Sequence, residues 1–107
     1  MTTFDDRERG FEKQFALDQD QEFRAGARRN RLLGEWAAGL MGLEGERVAE
    51  YAQAVVKSDF ELPGDEDVLR KVFEDLKGSG VNVSEGDVRM KMDELLAQAR
   101  EAIRGAG

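Results

Sequence analysis

The chain has 107 residues, 16 basic and 23 acidic, for a formal net charge of −7, and it contains neither histidine nor cysteine. That length suits one domain with a single modest core. The missing residue types exclude disulfides, thiolate chemistry, zinc sites of the usual kind and histidine-based catalysis, while the acidic balance opposes general nucleic-acid binding.

The first 18 residues read as an arm. Phe4, Phe11 and Phe15 are three of the chain's six phenylalanines. On a helical period Phe11 and Phe15 fall about 20° to either side of Phe4. The three make a narrow apolar stripe among Asp5, Asp6, Arg7, Glu8, Arg9, Glu12 and Lys13. Thr3 can cap a helix with Asp6 three positions on, but Gly10 lies inside it at a cost of about 1 kcal/mol relative to alanine. Fixing the arm's backbone costs several-fold more free energy than burying three phenylalanines returns. The arm is therefore expected to be flexible in the free protein and to fold against a partner. Packing back on the bundle as an extension of the first helix is the competing reading.

Four amphipathic helices are predicted after it. Residues 20–41 carry Leu32, Leu33, Trp36, Ala37, Leu40 and Met41 at helical spacing, with Gly42 placed to end the helix in a left-handed conformation. Residues 45–60 repeat the pattern with Val48, Tyr51, Ala52, Val55, Val56 and Phe60, and Pro63-Gly64 stops them. The third helix runs from about 65 to 77, with Asp65 as its cap, Glu66 and Asp67 at the positive end of its dipole, and Val68, Leu69, Val72, Phe73 and Leu76 facing inward. Gly78-Ser79-Gly80 breaks the chain. Ser84 and Asp87 form a capping box that opens the fourth helix, whose inward residues are Val88, Met92, Leu95, Leu96, Ala99 and Ile103; the end, Gly105-Ala106-Gly107, frays. With one proline and little sheet-forming material, the expected fold is all-α: a flexible arm at 1–18 and a four-helix bundle at 19–107.

Candidate sites are few. Arg24, Arg28 and Arg31 share one helix face and suit carboxylate or phosphate, although a solvated face paired with Asp20, Glu22 and Glu35 is the simpler reading. Trp36 sits in the densest apolar stripe and reads as core before it reads as a base-stacking platform. Met90 and Met92 read as ordinary helix residues. The pairs Asp65-Glu66-Asp67 and Asp93-Glu94 lack calcium-loop spacing, and Gly78-Ser79-Gly80 lacks the lysine of a phosphate loop. No catalytic constellation remains, so a non-enzyme without a metal is expected. No signal-like N-terminus or long apolar run is present, which points to a cytoplasmic protein with no membrane insertion.

The runs Thr2-Thr3-Phe4-Asp5-Asp6-Arg7-Glu8-Arg9, Phe11-Glu12-Lys13-Gln14-Phe15 and Ala27-Arg28-Arg29-Asn30-Arg31-Leu32-Leu33-Gly34 resemble the zeta subunit family, the small ATPase inhibitors of the F-type ATP synthase in alphaproteobacteria. The resemblance continues through Trp36-Ala37-Ala38, Met41-Gly42-Leu43, Tyr51-Ala52, Val55-Val56, Asp59-Phe60-Glu61, Asp67-Val68, Arg70-Lys71-Val72 and Met92-Asp93-Glu94-Leu95-Leu96. It implies a four-helix fold and an N-terminal segment that enters a catalytic α/β interface of the F1 head, blocking hydrolysis while synthesis proceeds. Carried over, Phe4, Asp5, Arg7, Glu8, Arg9, Phe11 and Phe15 would bind the partner. The phenylalanines would serve as apolar anchors, and Arg7 and Arg9 would fix the register. Gly10, Gln14 and Leu17 depart from the family's usual alanine, base and histidine. The implied partner is the F1 sector of ATP synthase, extending to the central stalk, with the free protein a monomer and peripheral to the inner membrane through F1. Two other readings are a helical scaffold of the synthase without inhibitory activity, and a weak ATP/ADP sensor using the arginine face of the first helix.

Overall fold

A computed structural model describes residues 18–59 and 65–106. Four helices account for nearly all of them: α1 (Gln19–Leu40), α2 (Glu46–Ser58), α3 (Glu66–Gly78) and α4 (Glu85–Ala106). There is no strand among the described residues, and the all-α expectation holds. Phe60, the Pro63-Gly64 stop and the whole aromatic stripe of the arm lie outside the described residues.

Local chemistry explains most of the boundaries. Asp18, extended at ψ 174°, caps α1 through a reciprocal pair: Gln21 N donates to Asp18 Oδ1 (2.7 Å) and Asp18 N donates to Gln21 Oε1 (3.2 Å). This box was not foreseen in the sequence, because an Asp/Gln pair is a less familiar form of the usual Ser/Glu one. The box at the start of α4 was foreseen, and Asp87 N donates to Ser84 Oγ at 3.0 Å while Ser84 N donates to Asp87 Oδ2 at 2.9 Å. Two helices end the same way. Gly42 (φ +80°) and Gly80 (φ +83°) take the left-handed position. Beyond them Leu43 N donates to Ala38 O and Val81 N to Leu76 O, both at 2.9 Å. These six-to-one bonds satisfy carbonyls that the helix ends leave open.

Asp65 departs from expectation. It occupies the cap position of α3 in a helical conformation and makes no side-chain capping bond. Its carboxylate accepts instead from Arg29 of α1, at 2.9 Å. A charge-assisted bond to a buried guanidinium is stronger than one to a backbone N–H at a half-exposed helix end.

Helix α1 is the hub and packs against all three others, whereas α2 and α4 do not approach each other closely. Leu33 and Ala37 of α1, Val55 of α2, Val68, Leu69, Val72 and Leu76 of α3, and Val88, Met92 and Leu95 of α4 form the core. Trp36 lies at its edge, one face on the core and the other under Lys91, whose Nζ is 5.8 Å from the ring centroid. Leu40 is not core. It is 44% exposed, because the chain reverses at Gly42 and no helix continues over it. Salt bridges stitch the helices at the surface, Arg89 to Glu66 (2.6 Å) and Arg100 to Glu22 (2.8 Å). Tyr51 O–H of α2 donates to Asp75 of α3 at 2.8 Å, and this bond, after burial, holds the phenol well above its ordinary range.

The tightest helix contact is between α1 and α2. A Cβ placed on Gly34 would stand 2.6 Å from Ala52 Cα and 3.2 Å from its Cβ, so the two backbones meet with no room for a methyl group. Gly34→Ala is expected to destabilise the fold by about 1–3 kcal/mol, since the obstacle is backbone and cannot swing aside. Gly26→Ala on the same helix, where nothing lies within 4 Å, should be neutral or stabilising by up to about 1 kcal/mol. Urea midpoints of the two variants check this; equal midpoints would overturn the contact.

Candidate functional site

The residues expected to bind a partner through the arm, Phe4, Asp5, Arg7, Glu8, Arg9, Phe11 and Phe15, lie outside the described residues. The expected arginine face is on α1, but the structure divides it. Arg24 pairs with Asp20 at 2.9 Å and Arg31 with Glu35 at 3.5 Å, all four side chains largely exposed. Glu22 is drawn away to Arg100. Arg28 forms no ion pair with a described residue. Together with Arg31 it lines a groove of about 720 Å³ between α1 and α2, floored by Ala27, Leu32, Ala52 and Val56. The solvated-face reading thus accounts for Arg24 and Arg31, and of the three only Arg28 pairs with no acid among the described residues.

A more unusual group was not anticipated. Arg29 is 3% exposed and Asn30 fully buried, and these are the buried polar residues among those described. Arg29 Nε donates to Asn30 Oδ1 at 2.7 Å, and Arg29 Nη2 donates to Asp65 Oδ1 at 2.9 Å. The single charge of this guanidinium is balanced across 36 residues of chain, and the pair pins the start of α3 to the middle of α1. A buried cation is tolerable only when paired in this way. The sequence did carry a signal: Ala25, Arg29, Leu33 and Ala37 recur every four residues, so Arg29 stands in an inward row.

Arg29, Asn30, Asp59 and Asp65 line a smaller cleft of about 280 Å³, with Phe23, Leu96 and the Glu22–Arg100 pair around it. Asn30 and Asp59 face each other there. Asn30 Nδ2 is buried and meets no acceptor in full hydrogen-bonding geometry, its nearest influence being on the Asp59 carboxyl, and Asp59 forms no ion pair with a described residue, since Arg29 is committed to Asp65. Burial raises the Asp59 pKa above the ordinary value of 3.8; hydrogen bonding from the Asn30 side chain and the Arg29 charge act in the opposite direction without cancelling it, and Asp65 and Asp67 add repulsion. Neither cleft holds a nucleophile beside a base. Among the described residues no grouping of three or more carboxylates suits a metal ion, and no helix is long and apolar enough to cross a membrane.

Comparison with known proteins places the chain in context. The family model described as ATPase inhibitor subunit zeta matches residues 1–102. A solved structure, described as a solution NMR structure, is similar at 46% identity, covering 75% of this chain and 91% of that one with a TM-score of 0.67. No protein in the curated set matches.

The raised Asp59 carboxyl has a stability consequence. A group that binds its proton more tightly in the folded state contributes its full stabilisation below the unfolded value, here 3.8, and loses it as the pH rises through the higher folded value. Asp59→Asn should therefore be more stable than the parent at neutral pH, with the difference vanishing in acid below 3.8. Urea unfolding at the two pH values measures the difference, and a less stable variant at neutral pH would contradict the assignment.

Proposed function

Because the chain belongs to the ATPase inhibitor subunit zeta family, we propose that it is a regulatory inhibitor of the F1 sector of an F-type ATP synthase and not itself an enzyme. Residues 1–18 are the inhibitory arm and 19–107 the bundle that carries it. The arm folds into a catalytic α/β interface, with Phe4, Phe11 and Phe15 as apolar anchors and Arg7 and Arg9 setting the register, assisted by Asp5 and Glu8. The bundle is too bulky to follow and stays at the mouth of the interface. Its arginine face, Arg28 first, supplies a secondary contact. The protein acts as a monomer in the cytoplasm, reaching the membrane only through F1.

The observation that carries this reading is the extent of the family match. It starts at residue 1, so the aromatic arm belongs to the family pattern together with the helices. The Asp18 capping box supports it as well, because it closes the bundle off from the arm at the residue where the stripe has ended. An arm that served only to lengthen α1 would not need a helix stop there.

Titration of cognate F1-ATPase with the full chain should inhibit hydrolysis, and a variant lacking residues 1–18 should not, with circular dichroism showing its helices retained. Inhibition that survives the deletion would remove the arm from the mechanism. Co-purification with F1 but an unchanged hydrolysis rate would instead favour a scaffold. Within the arm, Gly10→Ala should tighten inhibition roughly fivefold, the equivalent of about 1 kcal/mol of helix propensity. A half-inhibitory concentration that does not fall would show that position 10 is not helical when bound.

A further inference from the structure

The arginines on the outer side of α1 have a counterpart in the segment that precedes it. Arg24, Arg28 and Arg31 are spaced by four and then three residues, and Glu12, Glu8 and Asp5 are spaced the same way in the opposite direction. Asp18, where the backbone is extended and α1 begins, is the midpoint of every pair: Glu12 with Arg24, Glu8 with Arg28, Asp5 with Arg31. A helical arm folded back from Asp18 would bring the three pairs level along α1, the last of them about 20 Å from the turn. The pairs also share a side. On the arm the acids stand about 40–100° round from Phe4, and on α1 the arginines stand about 40–100° round from Ala27 in the same sense. In an antiparallel helix pair, positions displaced in the same sense from the contact line face each other.

That contact line runs along the groove of about 720 Å³ between α1 and α2, where Ala27, Ala52 and Val56 are apolar and the α2 wall carries no charge. Arg28 and Arg31 line its α1 side. The pairs Arg24–Asp20 and Arg31–Glu35 are largely exposed, so each contributes little and exchanges readily for another carboxylate. We propose that in the free protein residues 4–12 dock in this groove as a short helix antiparallel to α1. Phe4 and Phe11 cover its apolar floor, and Asp5, Glu8 and Glu12 meet Arg31, Arg28 and Arg24. The tether at Asp18 holds the arm at an effective concentration on the order of millimolar. The entropy of ordering the arm keeps the contact weak and short-lived, as befits a segment that must leave for a partner. The regulatory meaning rests on the reading that this arm inhibits F1: the same phenylalanines then serve either the groove or the partner, and the docked fraction is withdrawn from inhibition.

The chain has no cysteine, so a single introduced one can carry a nitroxide label. With the label at Gln53→Cys, on the α2 side of the groove, the amides of residues 4–12 should broaden in the full ¹⁵N-labelled chain relative to the reduced label. A label at Met90→Cys, exposed on α4, should broaden them less. The effect should persist on about tenfold dilution and weaken in high salt. Arg28→Glu or Glu8→Arg alone should lower the docked-to-free ratio about threefold, and the two together should restore it. The proposal is overturned by no broadening, by equal broadening from both labels, or by a double variant no better docked than the single ones. Loss of the effect on dilution would also overturn it, since the arm in the groove would then belong to a second copy. The measurement needs no ATPase, so its failure would leave the inhibitory arm standing, and a failure of inhibition would leave the docked arm standing.

Discussion

Helix α1 must be kept from water over an arc of roughly 220°, from Ala25 round to Ala38, and the other helices take their places from that requirement. A surface helix needs a cover on one face only. Here Ala52 of α2 closes on Gly34, where residues with little or no side chain set the approach, and Leu33 and Ala37 join the core shared with α3 and α4. Small residues let backbones come together but return little apolar area, so the close fit at Gly34 and Ala52 does what bulk does elsewhere. The same wide arc is what carries Arg29 and Asn30 inside. Once there, the guanidinium has to find a carboxylate, and Asp65 is taken from its own helix to supply it.

That sequence of necessities explains what the amino-acid order revealed and what it hid. Gly42, and Ser84 with Asp87, were legible because each acts within four residues and needs nothing from elsewhere in the chain. The apolar stripes of α2, α3 and α4 were legible because each is covered on one side. The second buried face of α1 was not, since Asn30, Gly34 and Ala38 do not announce burial by hydropathy. Asp65 misled for a related reason: its local role as a cap was correct by position, and a partner 36 residues away claimed its side chain. Arg28 and Arg31 were correctly placed on one face, but their neighbour Arg29, one step round the helix, turned out to be the structural member of the group.

The division between arm and bundle gives the functional reading its physical sense. An inhibitor that works by filling an interface needs a segment able to commit its apolar residues to the partner and a body that stays folded while it does so. In this chain the aromatic stripe precedes residue 18 in the sequence and the core follows it, with α1 packing against the three other described helices. The family match spans both parts.

The extended Asp18, with its reciprocal bonds to Gln21, also bears on how such a protein can change over generations. Helical order is cooperative, and a continuous rod would make every substitution before residue 18 felt by the residues after it. A stop at Asp18 cuts that cooperativity. On the reading proposed above, the grip on the partner and the integrity of the body become separately adjustable quantities, and selection can tune the first across lineages without endangering the second.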